Sequence, residues 1–571
     1  MRWAVTTIVA VFLVVPGAAL AQGSSSSFSQ LAGERGCVTQ EAPLPFGGEA
    51  FEGCGNARGL LSPYAVAVSP DDKHVYVASS GAEAAGSNAI VAFSRAGDTG
   101  ALTSAGCVSD SGGDGRPGTD GFCVDGDALL GASAVAVSPD GRHVYVATHI
   151  SNGLAWLARD SDAGTLTPVG CIKEFPRADR CRAGLGLEGT SGVAVSPDGK
   201  QVYVTADKPG SVSVFSRDAA TGDLQPIMCV SENGSDGLCT DGTALIGASS
   251  VTVAPDGGQV FVTAEAIGGV TAYARDADDG SLTPQSCLLD RAPRGGSCTS
   301  APALSGAKAS AITPDGKTLL VASSEDQALA LFARDAATGA LRPADCFAHQ
   351  DPQGDDVVDE EEESDEEEED EEAEDAQAGC KPAKALGAAR EVVVSPDGRG
   401  VFVLGTDYLA AFRRDPASGA LTQTGCAESF LTYKSCTEVR GLSGSRGMAV
   451  SSDARSIYVA NAAENVVAVF GASVAISSRA ASVDRRGRFR VRLACPAARV
   501  RGCAGRLGVG TAKARAYRVR AGASRSVRAR LPKRLRHLVR KSGRVRVTVA
   551  ARDSRRLTRP STRRVLLSRS S

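Results

Sequence analysis

The sequence contains few of the residues and motifs on which common active sites depend. Only five of its 571 residues are histidine, and it has no GxSxG, HExxH or P-loop motif. These absences argue against serine hydrolases, zinc peptidases and nucleotide-dependent enzymes of the usual kinds. We therefore predict no cofactor and no metal site.

Long apolar runs are also scarce, and the one clear example lies at the N-terminus. Arg2 is followed by an apolar stretch to Val15, and Ala19-Leu20-Ala21 precedes Gln22. This pattern is typical of a signal peptide at residues 1–21, and the run is too short for a membrane-spanning helix. An uncleaved anchor is the alternative. We predict no transmembrane segment and a secreted protein, extracellular or associated with the cell envelope.

Cysteine is plentiful, but the 16 cysteines form no CxxC pair and few histidines accompany them. This pattern favours disulfides in an exported protein over zinc sites, which are the alternative. The cysteines occur as neighbours along the chain, so pairing within each neighbourhood is the simplest connectivity. The predicted disulfides are Cys37–Cys54, Cys107–Cys123, Cys171–Cys181, Cys229–Cys239, Cys287–Cys298, Cys346–Cys380, Cys426–Cys436 and Cys495–Cys503.

A repeated pattern organises most of the chain: an apolar run, a turn of the Ser-Pro-Asp-Gly type and a second apolar run. Two further predicted strands complete each repeat. The turns begin at Ser69, Ser138, Ser196, Ala254, Thr313, Ser395 and Ser451, with steps of 69, 58, 58, 59, 82 and 56 residues. Four antiparallel strands in each of seven repeats predict an all-β fold, a seven-bladed β-propeller.

The two ends of the repeat array predict how the ring closes. The seventh repeat stops after its third strand, at Val466–Phe470, whereas the N-terminal Gly36-Cys37-Val38 matches the fourth strand of the first repeat. We predict that residues around 31–38 complete the last blade, which would leave no long bare sheet edge. The propeller would then span residues 28–470.

Charge is unevenly distributed along the chain. Residues 471–571 contain 30 of the 62 Lys and Arg residues but only two of the 65 acidic residues. Acidic residues are concentrated between 355 and 375, where they make up 17 of 21 positions. We expect the insertion at 351–378 to be disordered because its charges repel one another and it has little apolar surface to bury. A calcium site is the alternative, although the spacing of an EF-hand loop is absent.

The basic C-terminal region has strand-like alternation. Arg488–Leu493 and Arg544–Val549 alternate charged and apolar residues, which predicts half-buried strands, and Pro532–Lys541 could form one or two helical turns with Leu535, Leu538 and Val539 inward. Residues 474–571 resemble the small immunoglobulin-like β-sandwich modules of secreted bacterial proteins. The region could bind an anionic envelope polymer or acidic protein surface, dock on the acidic insertion, or only aid solubility. Nucleic acid is disfavoured because no recognisable binding motif accompanies the charge.

Equivalent positions in the blades predict two rings of side chains at one mouth of the central funnel. The first ring is Tyr64, Ser133, Ser191, Ser249, Lys308, Arg390 and Arg446. The second ring is Ser80, His149, Asp207, Glu265, Ser324, Thr406 and Ala462. We predict that Lys308, Arg390, Arg446 and Tyr64 bind a small anionic ligand, and that the catalytic candidates are His149, Asp207 and Glu265. Alternatively, these groups are solvated loop charges that pair loosely with one another.

The repeats resemble a known family. Tyr203-Val204-Thr205-Ala206, Phe261-Val262-Thr263-Ala264 and Tyr458-Val459-Ala460-Asn461 are similar to YVTN repeats. With the Phe-x-Arg-Asp and Thr-Gly-x-Leu-Thr segments, they resemble the seven-bladed lactonase-like propellers related to 6-phosphogluconolactonase and to carboxymuconate-lactonizing enzymes. The resemblance covers residues 28–470 and implies a funnel in which Arg, His and acidic residues handle a lactone. It identifies no individual catalytic position here.

These patterns predict a secreted recognition protein whose basic C-terminal module holds it near an anionic surface. The alternative is an extracellular lactonase-like hydrolase that acts on a small anionic lactone in the funnel. Because propellers host many functions, the fold does not decide between the two.

Overall fold

A computed structural model of the protein describes residues 27–40, 54–81, 86–115, 119, 121–176, 180–350, 379–430, 436–473, 475–476, 480–484, 486–495, 503–509, 514–520, 524–542, 544–553 and 561–569. The predicted signal peptide at 1–21 and the acidic insertion at 351–378 lie outside these residues. Among the described residues, no helix is long and apolar enough to span a membrane.

Seven antiparallel sheets form the blades of a propeller, numbered here from 1 to 7 along the chain. The innermost strands are Pro63–Val68, Ala132–Val137, Thr190–Val195, Ala248–Val253, Ala307–Ile312, Glu391–Val394 and Ser445–Val450. The second strands are His74–Ser79, His143–Thr148, Gln201–Ala206, Gln259–Ala264, Thr318–Ser323, Gly400–Leu404 and Ser456–Asn461. The third strands are Ala89–Arg95, Gly153–Arg159, Ser211–Arg217, Gly269–Arg275, Ala328–Arg334, Tyr408–Arg414 and Val466–Ser473.

Each blade also has a fourth strand and a short fifth strand that runs parallel to it. The fourth strands of blades 1 to 6 are Leu102–Ser109, Leu166–Lys173, Leu224–Ser231, Leu282–Leu289, Leu341–His349 and Leu421–Glu428. The fifth strands of the same blades are Val124–Asp125, Arg182–Ala183, Thr240–Asp241, Thr299–Ser300, Lys381–Ala383 and Thr437–Glu438. The four-strand blade predicted from sequence is thus extended by one strand.

The N-terminus completes blade 7, as predicted. Cys37–Thr39 pairs antiparallel with Val466–Ala468 in the place of a fourth strand, and Gly55–Asn56 pairs with it as the fifth strand. The sequence did not predict an additional strand, Ser27–Gln30, which pairs with Phe470–Ser473. The short helical turns Gly33–Gly36 and Gly234–Gly237 lie in loops.

Blades 7 and 1 then meet and the ring is closed. The inner strand of blade 7 passes so close to that of blade 1 that a Cβ at Gly447 would lie 2.6 Å from the carbonyl oxygen of Tyr64. Glycine is therefore required at this contact.

The disulfides anchor the short fifth strands. All eight predicted cysteine pairs are bonded in the structure. In every blade the first cysteine lies on the fourth strand and the second directly precedes the fifth strand, as in Cys107 and Cys123 of blade 1. A strand of two or three residues makes few hydrogen bonds of its own, so the covalent link fixes it beside its neighbour. Eight disulfides fit an extracellular or periplasmic compartment.

A buried arginine joins most neighbouring blades, and we call this arrangement the arginine latch. Arg159 ends the third strand of blade 2, and its Nη2 donates to both carboxylate oxygens of Asp71 in the turn of blade 1, each at 2.9 Å. Its Nε donates to the Tyr76 hydroxyl at 2.8 Å. Burial raises the pKa of Asp71, but hydrogen bonds from Ser69 and Arg159 outweigh it and lower that pKa to about 2. The latch ion pairs are Arg95–Asp453, Arg159–Asp71, Arg217–Asp140, Arg275–Asp198, Arg334–Asp256 and Arg414–Asp315.

The junction between blades 6 and 7 has no latch among the described residues. Where the other blades carry the arginine, two residues after the aromatic of the third strand, blade 7 has Ala472. The turn aspartate of blade 6, Asp397, accepts the same hydrogen bonds within its own turn as Asp140 does, from Ser395 Oγ at 2.5 Å and the Arg399 backbone N–H at 3.1 Å. The latch therefore closes six of the seven junctions.

The C-terminal strands form two further sheets that share one core. One sheet has the order Ala475–Ile476, Arg488–Ala494, Ser524–Arg530. The other has the order Ala480–Val483, Ser561–Arg569, Arg544–Asp553, Cys503–Val509, Arg515–Val519. Buried residues of both, such as Val491 and Val549, belong to one apolar cluster. The sheets therefore pack face to face as the predicted β-sandwich, whereas its immunoglobulin-like character stays a prediction.

Among the described residues of this sandwich there is one helix, Lys533–Ser542, which lies between two strands. Val539 is buried and Leu535 packs on the core, as predicted. Leu538 was predicted to face inward, but its side chain is 46% exposed. Successive helical residues differ by about 100° around the axis, so the face centred on Leu535 and Val539 leaves Leu538 at its margin.

Candidate functional site

A repeated β-bulge places the predicted first ring. In six blades the pairing of the first and second strands shifts by one residue near the start of the inner strand, and the first-ring residue is the extra one. Tyr64, Lys308 and Arg446 are three such residues. Arg390 directly precedes the inner strand of blade 6, and its backbone N–H donates to the Leu404 carbonyl at 2.7 Å. A bulge redirects a side chain out of the sheet pattern, which suits a ring at the mouth of the channel.

The opposite end of the inner strands is apolar. Their last residues are partly exposed aliphatic side chains, namely Val68, Val137, Val195, Val253, Ile312, Val394 and Val450. Charged groups on the inner strands are thus confined to the bulged end. An ionic ligand of the channel would be held at that end.

Two arginines from neighbouring blades lie close together at this mouth. The Arg446 guanidinium lies 5.6 Å from the centre of the Tyr64 ring, and Arg390 Nε donates to Thr406 Oγ1 at 3.1 Å. Burial, followed by repulsion from Arg446, holds the pKa of Arg390 below its usual value. Within the described residues, neither arginine forms a salt bridge. The mouth therefore has two adjacent cations without a directly bonded carboxylate.

Lys308 differs from the two arginines because it already has a carboxylate partner. Its Nζ bonds to Glu265 of the preceding blade. Glu265, which was predicted as a catalytic candidate, therefore lies beside one of the predicted anion-binding cations. This contact leaves Arg390 and Arg446 as the cations best placed to meet an anion.

His149 and Asp207 form a pair between blades 2 and 3. His149 Nε2 and Asp207 Oδ2 are 3.1 Å apart, and the two side chains are 44% and 39% exposed. If Nε2 carries the proton, it donates a hydrogen bond to the Asp207 carboxylate, and Nδ1 is left as a hydrogen-bond acceptor. The structure thus places these two catalytic candidates in contact, whereas the third, Glu265, bonds to Lys308.

The other four histidines have different places in the fold. His74 and His143 lie against the latch arginines, with Nδ1 at 2.6 and 2.9 Å from an arginine Nη2. His349 Nδ1 accepts the Leu386 backbone N–H at 3.2 Å, and His537 is exposed on the C-terminal helix. His149 is therefore the one histidine of this chain at the funnel mouth.

The serines of the first ring hold the ring together. The hydroxyls of Ser133, Ser191 and Ser249 each donate to a backbone carbonyl of the next inner strand, at 2.9, 2.7 and 3.0 Å. They were predicted as funnel hydroxyls, and sequence could not reveal these acceptors because they belong to backbone about 57 residues away. Their donor hydrogens are used within the ring.

Glu391, which the sequence did not single out, follows Arg390 and begins the inner strand of blade 6. Burial raises the pKa of Glu391 to about 8. In the other blades this position is filled by Ala65, Ala134, Gly192, Ser250, Ala309 and Gly447. One acidic residue in a column of small residues was a signal that an alignment of the repeats could have found.

No metal centre emerges from the described residues. No three of the histidine, cysteine, aspartate and glutamate side chains in that part of the chain are grouped closely enough to hold a metal ion.

Part of the propeller sequence matches a known protein family. A family model described as lactonase, 7-bladed β-propeller, matches residues 120–231 and 188–353. The propeller is lactonase-like. The resemblance seen in the repeats is thereby confirmed, together with the seven-bladed fold. No curated protein matches the chain.

Solved structures also resemble this lactonase-like propeller. A candidate 6-phosphogluconolactonase from Bacteroides uniformis has 17% identity and a TM-score of 0.43, covering 66% of this chain and 86% of its own. The periplasmic gluconolactonase of Pseudomonas aeruginosa has 21% identity and a TM-score of 0.43, covering 67% and 88%. An auxiliary nutrient binding protein from Bacteroides thetaiotaomicron has 13% identity and a TM-score of 0.36, covering 60% and 69%.

Proposed function

We propose that the protein is a secreted recognition protein whose propeller binds a small anion at the funnel mouth. The proximity of Arg390 and Arg446 supports this most directly. Two neighbouring guanidiniums repel each other, and a carboxylate or phosphate between them would replace repulsion with charge-assisted, often bidentate hydrogen bonds. Tyr64 lies against Arg446 and orients its guanidinium. Lys308, already bonded to Glu265, would add long-range attraction.

Replacement of Arg446 tests this site. We expect Arg446→Gln to weaken the binding of gluconate, 6-phosphogluconate or inorganic phosphate by about tenfold or more, because one charge-assisted contact is lost. Calorimetric titration of the full chain measures the change. Arg142→Gln is the matched control: Arg142 is exposed in a turn at the other end of blade 2, and its loss should leave binding unchanged. Equal weakening in both variants, or binding of none of the three probes, would reject the site.

A lactonase activity is the second candidate, favoured by the His149–Asp207 contact and by the lactonase family match. In this scheme His149 takes a proton from water as the water oxygen attacks the lactone carbonyl. The bond between the carbonyl carbon and the ring oxygen breaks, and the proton passes to that oxygen. Asp207 holds the imidazole and stabilises its charged form, and Arg390 and Arg446 bind the anionic substituent of the substrate.

Hydrolysis assays separate the two candidates. With δ-gluconolactone or its 6-phosphate as substrate, we expect His149→Asn to lower kcat by about 100-fold with little change in KM. Arg446→Gln should instead raise KM. Release of acid, followed by a pH indicator against the spontaneous rate, is the measurement. If the wild-type protein does not hydrolyse the lactone faster than the spontaneous rate but still binds the anion, lactonase activity is rejected and the recognition function is retained.

We also propose that the basic C-terminal sandwich keeps the exported protein near an anionic polymer or acidic surface. The apolar N-terminal run, the disulfides and the excess of arginine after residue 470 support this arrangement. Attraction of this kind weakens as salt screens the charges.

A further inference from the structure

The three-stranded sheet of the C-terminal sandwich carries paired arginines on its outer face. Arg488–Ala494 and Ser524–Arg530 run antiparallel, with Arg488 opposite Arg530 and Arg490 opposite Arg528. The alternate residues, Phe489 and Val491 among them, are buried in the core. The arginines therefore share the outward face, about 6–7 Å apart along each strand and about 5 Å apart across the pair, measured between Cβ atoms. We call this surface the arginine ladder.

Acidic side chains scarcely balance the ladder. Arg488 bonds to Asp484 at 2.6 Å, but within the described residues Arg490, Arg528 and Arg530 form no salt bridge. Like charges directly opposite each other destabilise a pair of strands. An anion between them would relieve that repulsion, and the excess positive charge would attract it from a distance.

The basic residues of this region are almost all arginine. Residues 471–571 contain 27 arginines and three lysines. Lysine would supply the same charge for solubility or for general attraction. The planar guanidinium is suited to bidentate contact with oxyanions and is more weakly hydrated than an ammonium group. The preference for arginine over lysine favours a partner that the ladder contacts directly.

We propose that the arginine ladder binds a linear phosphate polymer, which lies along the strands between the two rows of guanidiniums. This inference rests on the proposal that the sandwich holds the protein at an anionic surface, and it names the contact face and the partner's chemistry. A tetrahedral phosphate offers oxygens to both rows of guanidiniums at once, whereas the two oxygens of a planar carboxylate lie along one edge and engage one guanidinium. The ladder is two side chains wide on a twisted sheet, so it fits one polymer chain better than a flat surface.

The salt dependence of binding tests the proposal on the full chain. End-labelled long-chain polyphosphate is titrated by fluorescence anisotropy over a series of salt concentrations. For Arg490→Gln with Arg528→Gln, we expect affinity to fall about tenfold at low salt. The slope of log K against log salt should shrink by about 1.4, or about 0.7 for each lost contact with a flexible strand. Both positions are exposed, so thermal unfolding should match the wild type.

A second double variant provides the control. Arg506→Gln with Arg518→Gln removes the same charge from exposed positions on the other sheet, and we expect less than about a third of the loss in affinity. Equal losses in both variants would overturn the ladder while leaving general attraction by the sandwich intact. Failure of the wild-type protein to bind polyphosphate even at low salt would overturn both. Polyglutamate binding as tight as polyphosphate binding would overturn the assignment to phosphate.

Discussion

Replacing Arg217 with methionine should lower the free energy of unfolding by about 3–5 kcal/mol, the range for breaking a buried ion pair from one side. The Arg217 guanidinium is almost completely buried. It donates to both oxygens of Asp140 at 3.0 and 2.8 Å, to the Tyr145 hydroxyl at 2.8 Å and to the Gly199 carbonyl at 3.0 Å. Methionine fills much of the same volume but removes all of these donors at the junction between blades 2 and 3, and Asp140 keeps only the hydrogen bonds of its own turn, from Ser138 Oγ and the Arg142 backbone N–H.

The propeller contains its own control for this prediction. Asp140 and Asp397 occupy the same place in the turns of blades 2 and 6, but only Asp140 accepts a latch arginine. Asp140→Asn should therefore destabilise the protein clearly, whereas Asp397→Asn should stay within about 0.5 kcal/mol of the wild type. Denaturant unfolding of the three variants is the measurement. If Asp397→Asn were as costly as Asp140→Asn, the turn itself, and not the latch, would be the stabilising element.

The latch also illustrates what sequence could and could not reveal. The Ser-Pro-Asp turn and the arginine that ends the third strand of blades 1 to 6 are plain in the sequence, and the repeats predicted the blades correctly. Their contact was not predictable from one repeat, because Arg217 reaches the aspartate of the previous blade, 77 residues earlier. Pairing between repeats follows from ring geometry, which fixes which turn lies beside which strand.

Closure and disulfides were predictable for a different reason. Gly36-Cys37-Val38 repeats a motif that the seventh blade lacks, so the missing strand and its substitute both appear in the sequence. The two cysteines of each disulfide are likewise neighbours along the sequence, so their order was enough to predict the pairing. The fifth strands escaped prediction because two residues such as Val124 and Asp125 show no periodicity, and they are held by a disulfide and a parallel neighbour.

The candidate site was only partly predictable. Equivalent positions in the repeats correctly predicted where the inner strands begin. Arg390 and Arg446, which lie close together in the structure, are both among these positions. Sequence does not show which charges already have partners, so Lys308 looked as available as the arginines although it bonds to Glu265. Glu391 was not predicted because its position, one residue after the predicted first ring, is filled by small residues in the other six blades.

Glu391→Gln should stabilise the protein at neutral and alkaline pH. The folded protein raises the pKa of Glu391 from 4.5 to about 8 because burial opposes ionisation. A raised pKa of an acid means that the protonated form is favoured by folding. The wild-type protein therefore loses stability progressively as pH rises from about 4.5 to about 8, while the glutamine variant does not. At about 1.4 kcal/mol per pKa unit the upper bound approaches 5 kcal/mol, and we expect about 3 kcal/mol because the side chain is partly accessible.

The pH course of this gain identifies its cause. Thermal or denaturant unfolding of both proteins between pH 4 and pH 9 should show no difference at the acidic end, a growing gain through pH 5–8 and a plateau above. The amide oxygen of glutamine can still accept the Val392 backbone N–H that now bonds to Glu391 Oε1 at 3.3 Å. Glu438→Gln, an exposed position in the same blade, should give no such profile. A gain that is already full at pH 4 would mean that glutamine packs better, whereas no gain at pH 8 would mean that folding does not raise the pKa of Glu391.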